Sequence, residues 1–102
     1  MTTALDVLAE PSRRQILDAL REGERAVGSL SDELSLSQPS VSKHLRVLRE
    51  AGLVSVRADA QRRVYRLRLD PLIELDQWLA PYRRIWSERF DALERRLDEM
   101  EE

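Results

Sequence analysis

Gln38, Ser40, Ser42, Lys43 and Arg46 bring together hydroxyls, a carboxamide and two cations within one short stretch. Hydroxyl and amide groups hydrogen-bond to neutral polar edges such as those of nucleic-acid bases, and Lys and Arg bind either those edges or phosphate oxygens. Val41, Leu45 and Leu48 repeat through the same stretch at helical spacing. At about 100° per residue, Lys43 and Arg46 fall opposite that apolar stripe, with Ser40 and Ser42 on its flanks. One helix would therefore hold the set on its outer surface. His44, the single histidine, lies about 60° off the stripe. A ring partly packed on the domain, donating to a backbone carbonyl or a phosphate, is expected there rather than a metal ligand. Arg62 and Arg63 form a second basic pair, suited to phosphates or a narrow groove.

The elements that must position these groups follow from hydrophobic periodicity. Residues 4–8 read as a short helix with Leu5 and Leu8 on one side, and residues 11–22 as a second, started at Pro11 and stopped at Gly23. Val27, Leu30 and Leu34 mark a third, with Ser29 and Asp32 resembling a capping box. The fourth runs from about Gln38 to Ala51 with Pro39 in its first turn, Ser37 or Gln38 as cap, and Gly52 as its stop. Residues 53–58 and 63–69 alternate as two strands. Antiparallel pairing that sets Val54 against Leu67 and Val56 against Tyr65 puts these four on a buried face. It sends Arg57, Arg66 and Arg68 to the other, and leaves Asp59–Arg62 as a four-residue loop.

From Leu72 to Met100 the apolar positions are 72, 75, 79, 82, 86, 90, 93, 97 and 100, a heptad-like seam with one extra four-step near Trp86. Its phase holds across Pro81, so one long helix kinked there, or two nearly coaxial helices, would span roughly 45 Å. Trp78, Tyr82, Ile85, Trp86 and Phe90 lie on or beside it. A monomer of this size cannot bury both ends of such a seam, and a dimer interface through Leu5, Leu8, Trp78, Leu79, Tyr82, Trp86, Phe90 and Leu93 is expected.

Charge is distributed to match. The chain has 102 residues, a net charge of −2 and a charged fraction of 35%. Residues 37–69 carry 8 basic and 2 acidic groups, net +6, while residues 1–36 and 70–102 are net −3 and −5. One third of the chain is thus a basic module between acidic segments, the layout of a protein with one electropositive face. The absence of cysteine removes disulfides, thiolate metal sites and a cysteine nucleophile. Asp91, Glu94 and Asp98 share a helix face, and pairing with Arg95 and Arg96 suits them better than a cation. Arg13 and Arg14 could reach phosphate or only their acidic neighbours. No nucleophilic triad, glycine-rich phosphate loop or clustered acid pair exists, so no enzyme is expected, and no cofactor or metal. No apolar run has the roughly 20 residues of a membrane span and none opens the chain as a signal peptide would, so a cytoplasmic location is expected.

The expected fold is mainly α with a small β-hairpin: a winged helix–turn–helix of order α-α-α-α-β-β-α, in which the second helix of the pair enters the major groove of double-stranded DNA. Residues 1–102 form one domain, with 27–52 the helix–turn–helix, 53–69 the wing, and 1–9 and 71–102 the dimerisation helices. Gln38, Ser40, Ser42 and Lys43 would read bases. Arg46, Arg62, Arg63 and His44 would engage phosphates. A protein-interaction winged helix is the rival reading.

The residues also resemble a known family. Leu8-Ala9-Glu10-Pro11-Ser12-Arg13-Arg14-Gln15-Ile16-Leu17 is similar to the opening helix of the ArsR/SmtB family of bacterial transcriptional regulators. Ser37-Gln38-Pro39-Ser40-Val41-Ser42-Lys43-His44-Leu45-Arg46-Val47-Leu48, followed by Ala51-Gly52-Leu53-Val54, resembles its recognition helix and the start of its wing. Arg62-Arg63-Val64-Tyr65-Arg66-Leu67 resembles its second wing strand. The resemblance implies a homodimeric repressor, joined through its first and last helices, on a palindromic operator, often in its own promoter. Founding members sense metals through Cys-Val-Cys where this chain has Ala26-Val27-Gly28, and zinc-sensing members use a histidine on the last helix, which is absent. Tyr82-Arg83-Arg84-Ile85-Trp86 resembles the metal-independent, autoregulatory branch. The wing loop lacks the glycine common in relatives. Release by a small molecule at the dimer seam is a further alternative, its effector unspecified.

Overall fold

A computed structural model describes residues 4–101. Residues 1–3 and 102, which the expected dimerisation segments include, lie outside the described residues. The order is α1 (Ala4–Leu8), α2 (Pro11–Arg21), β1 (Arg25–Ala26), α3 (Val27–Leu34), α4 (Gln38–Glu50), β2 (Val54–Asp59), β3 (Arg62–Leu67) and α5 (Asp70–Met100). This is the winged helix–turn–helix plan, with one strand more than expected. The sheet is antiparallel with order β1-β3-β2. A strand of two residues is too short for alternation to reveal it.

Local chemistry sets each helix end. In α2 the Glu10 carboxylate accepts from the Arg13 backbone N–H at 3.1 Å, and Pro11 fills the first turn. The expected Ser29 capping box does not form. Ala26 is the N-cap of α3, without a side-chain bond, because β1 feeds the helix directly and places Ser29 inside it. Ser35 closes α3 in the left-handed region at φ 56°, and the Ser31 hydroxyl donates to the Leu36 carbonyl. Ser37 caps α4, its oxygen accepting from the Ser40 N–H at 3.2 Å.

At the other end of α4, Gly52 takes φ 77° and donates to the Arg49 carbonyl, while Leu53 donates to the Leu48 carbonyl at 2.9 Å. Leu48 and Leu53 are both fully buried, which adds the apolar contact that this Schellman-type ending favours. The helix is thus turned sharply into the wing.

The wing register is as expected: Val54 opposes Leu67, Val56 opposes Tyr65 and Ala58 opposes Arg63. The loop differs. Asp59 pairs with Arg62 in the ladder, so Ala60 and Gln61 alone make the turn instead of four residues. Ala60 sits at φ 57°, where a Cβ costs roughly 1–2 kcal/mol, a cost that a glycine would avoid. The outer face is also less polar than expected. Val64 is buried between Ala26 and Arg57, since β1 makes β3 a central strand.

The core joins Val7, Ile16, Leu17, Ala19, Leu20, Leu30, Val41, Leu45, Leu48, Leu53, Val54 and Tyr65. In α1 the buried residue is Val7; Leu5 is exposed and Leu8 half-buried. α5 contributes no buried residue and runs unbroken through Pro81 for 31 residues. The radius of gyration is 18.5 Å, with extents of 64 × 30 × 20 Å, against about 13 Å for a compact chain of 100 residues. The excess is the projecting helix.

Candidate nucleic-acid interface

α4 buries Val41, Leu45 and Leu48 and leaves Gln38, Ser42, Lys43, Arg46 and Arg49 exposed. Ser40 is half-buried, which fits its place on the flank of the stripe. The serine-capped start and the glycine stop thus fix a helix whose inner face is committed to the core. Its outer face carries the polar set read from the sequence. Gln38 rests its amide near the first turn of α3, where a Cβ on Gly28 would lie 3.8 Å from Nε2.

The wing stands beside this helix. Ser42, Arg46 and Arg49 of α4 line a groove of about 220 Å³ with Arg63 and Tyr65 of β3 and Val27 of α3. Sequence reasoning placed Arg46 and Arg63 in the site and missed Arg49. Its spacing of three from Arg46 was the available signal.

The other wing arginines have partners. Arg62 pairs with Asp59 at 3.0 Å, Arg68 with Asp70 at 3.2 Å, and Arg66 donates to the Ser55 hydroxyl at 3.1 Å. Arg57 reaches Glu24 at 2.7 Å. By the register, that pair crosses β3 on the Val64 face. The hydrogen bond from Arg57 holds the Glu24 carboxyl below its ordinary value, and the same bond raises the Arg57 guanidinium.

His44 does not face outward with the set. Its Nδ1 accepts from Arg13 Nε at 3.4 Å, and its Nε2 lies 3.9 Å from the Glu10 carboxylate. An accepting Nδ1 puts the neutral ring's proton on Nε2, facing Glu10. The expected carbonyl or phosphate partner is thus replaced by the side chains of Arg13 in α2 and of Glu10, its N-cap, because the flank of α4 carrying His44 is the one that meets α2. Arg13 and Arg14 also bond within their own chain: Arg13 donates to the Val7 carbonyl at 3.4 Å and the exposed Arg14 to the Leu8 carbonyl at 2.6 Å.

The second surface is on α5. Trp78, Tyr82, Ile85, Trp86, Phe90, Leu93, Leu97 and Met100 are all exposed. Trp78 and Tyr82 have ring centroids 5.0 Å apart. Trp78, Leu79, Tyr82, Ile85, Trp86 and Arg89 line a trough of about 420 Å³. Spanning Pro81 within the unbroken helix, Arg83 donates to the Asp76 carbonyl at 2.9 Å and pairs with its carboxylate. Among the described residues no group of three or more His, Asp or Glu side chains is arranged to hold a metal, and no helix is long and apolar enough to cross a membrane.

Comparison with known proteins decides the family. The sequence model of the family described as bacterial regulatory protein, arsR family, matches residues 10–56. Transcriptional repressor SdpR of Bacillus subtilis is 30% identical over 79 residues, 78% of this chain and 88% of that protein. This chain belongs to the arsR family. HTH-type transcriptional regulator Rv2034 of Mycobacterium tuberculosis is 47% identical over 64 residues, 63% of this chain. The match spans 60% of that relative's own length. The crystal structure of a possible transcriptional regulator for arsenical resistance superposes with a TM-score of 0.73 at 35% identity, covering 86% of this arsR-family chain and 97% of that one. The family and these relatives are transcriptional regulators and not enzymes.

Proposed function

We propose that this arsR-family chain is one winged-helix unit acting as a sequence-specific DNA-binding repressor in the cytoplasm, a homodimer on a palindromic operator that includes its own promoter, without metal sensing. The observation that carries this is the outer face of α4, where Gln38, Ser42, Lys43 and Arg46 are exposed beside Arg63 of the wing while the apolar side of the helix is wholly buried. Ser40 adds a hydroxyl at the flank. In this reading α4 enters the major groove, Gln38, Ser40, Ser42 and Lys43 contact base edges, and Arg46, Arg62 and Arg63 contact phosphates. Arg62 exchanges its Asp59 partner for phosphate, and His44 positions α4 through Arg13 and Glu10. The exposed α5 seam, with Leu5 and Leu8 of α1, supplies the contact between two copies, so that two recognition helices meet successive grooves about one turn apart. Absence of cysteine from the chain supports metal independence.

A gel shift on the DNA upstream of the chain's own coding sequence tests the reading. Sequence-preferring, salt-weakened retardation at low micromolar protein is expected, and Gln38→Ala should relax preference at one base position per half-site. A monomer that shows no DNA preference would instead support a protein-interaction module. Release by an apolar small molecule is the second reading. The trough along Trp78, Tyr82 and Trp86 favours it, and a ligand-induced shift in tryptophan emission that coincides with loss of retardation would establish it.

A further inference from the structure

The arginines of the basic segment fall into two groups. Arg57, Arg62, Arg66 and Arg68 each have a hydrogen-bonding partner, in Glu24, Asp59, Ser55 and Asp70. Arg46, Arg49 and Arg63 have none among the described residues, and all three border one groove, with Ser42 beside them and Val27 and Tyr65 for its apolar lining. Like charges three apart on a helix repel, so placing Arg46 and Arg49 together opposite Arg63 is unfavourable until an anion enters. The apolar lining, with Tyr65 8% exposed, lowers the local dielectric and strengthens what the guanidiniums give such an anion. Planar guanidinium forks match the tetrahedral oxygens of phosphate.

We infer that Arg46, Arg49 and Arg63 form one shared seat for a single phosphodiester of the DNA backbone, held between the recognition helix and the wing. The inference rests on the DNA-binding reading above and adds to it a residue, Arg49, and a stoichiometry of one phosphate per protomer. The recognition helix lies in one groove and the wing reaches over its border, so the strand that separates two grooves runs through the gap where these three cations converge. Each guanidinium then does not engage a phosphate of its own.

The test is fluorescence anisotropy of a labelled mixed-sequence duplex, across a range of potassium chloride concentrations, with wild type, Arg49→Ala, Arg63→Ala, the double variant and Arg21→Ala as a surface control. The substituted groove arginines are exposed and make no hydrogen bond or ion pair among the described residues, and unchanged circular dichroism melting verifies their fold. Each single groove variant should lose about tenfold in affinity and flatten the salt slope, while Arg21→Ala should match wild type. Because the seat is shared, the double variant should lose clearly less than the product of the single losses; separate contacts multiply within about twofold. Multiplying losses, or an Arg49→Ala variant equal to wild type, would overturn the shared seat while leaving DNA binding intact. A wild type that binds no duplex would overturn the DNA reading itself. A free inorganic phosphate ion could fill the same seat. If the groove variants bind duplex normally but lose a phosphate-dependent rise in melting temperature seen in wild type, the seat belongs to the free ion and the backbone assignment falls.

Discussion

α4 and α5 both carry apolar residues at helical spacing, and the structure treats them in opposite ways. In α4 the stripe Val41, Leu45 and Leu48 is fully buried by α2, α3 and the wing. In α5 the stripe is longer and richer in aromatic residues, yet no residue of the helix is buried. Periodicity reports that a face needs a cover; it does not say which chain provides it. α4 finds its cover within a few tens of residues. α5 projects beyond the body, and the described residues leave its apolar face uncovered. The polar faces differ too. The outer face of α4 gathers cations with no partner among the described residues, whereas α5 mixes Arg83, Arg84 and Arg89 with Glu88, Asp91 and Glu94, a surface with little attraction for a polyanion.

The largest expected effect breaks the seam. Trp86→Glu together with Phe90→Glu places carboxylates at the centre of the apolar face. Sedimentation at tens of micromolar protein should show a dimer for wild type and a monomer for the variant, and operator affinity should fall by about a hundredfold or more, since the second half-site contact is then no longer intramolecular. A variant that remains dimeric would move the interface elsewhere. Next comes a contrast between the helices. Leu45→Ala removes a fully buried side chain and should cost about 2–5 kcal/mol in urea unfolding. Leu93→Ala, tested in the background of that monomeric double variant, should change stability by less than about 0.5 kcal/mol. Equal losses would mean that α5 packs within its own chain.

Much of this contrast could be read from the sequence. Val54, Val56, Tyr65 and Leu67 alternate strictly, and that alternation yields the observed hairpin register. Ser37, Gly52 and the 3–4 spacing of α5 mark the helix ends and the seam. What stayed hidden depends on contacts distant in sequence or too short to have a period. β1 has two residues and is recognised only by its pairing with Val64 and Tyr65; missing it led to Ser29 being read as a cap and left the burial of Val64 unread. The division of arginines into paired and open could not be read either. Arg57 finds Glu24 from 33 positions away, and His44 finds Arg13 from 31 positions away. Even the local Asp59–Arg62 pair depends on a two-residue turn where a four-residue loop was expected.

The smallest expected effect sharpens the difference between the open and the neutralised arginines. Arg57 depresses the Glu24 carboxyl, so the folded chain holds that proton less tightly than the unfolded chain does. The pair therefore adds stability above the ordinary carboxylate range and loses it as pH falls through the lowered value. Both side chains are exposed, which keeps the contribution modest and sensitive to salt. Glu24→Gln should melt slightly below wild type at neutral pH in low salt. The gap should close as the pH is lowered, because a protonated Glu24 and a glutamine then hold Arg57 equally poorly. A gap that persists in acid would place its origin in packing over Val64 instead of in charge. In the same variant Arg57 loses its counter-ion while the groove arginines are untouched, so affinity for duplex DNA should hold or rise as stability falls. A fall in both would show that the Glu24–Arg57 strut across β3 positions the wing for binding, and that pairing an arginine and aiming a wing are one device in this sheet.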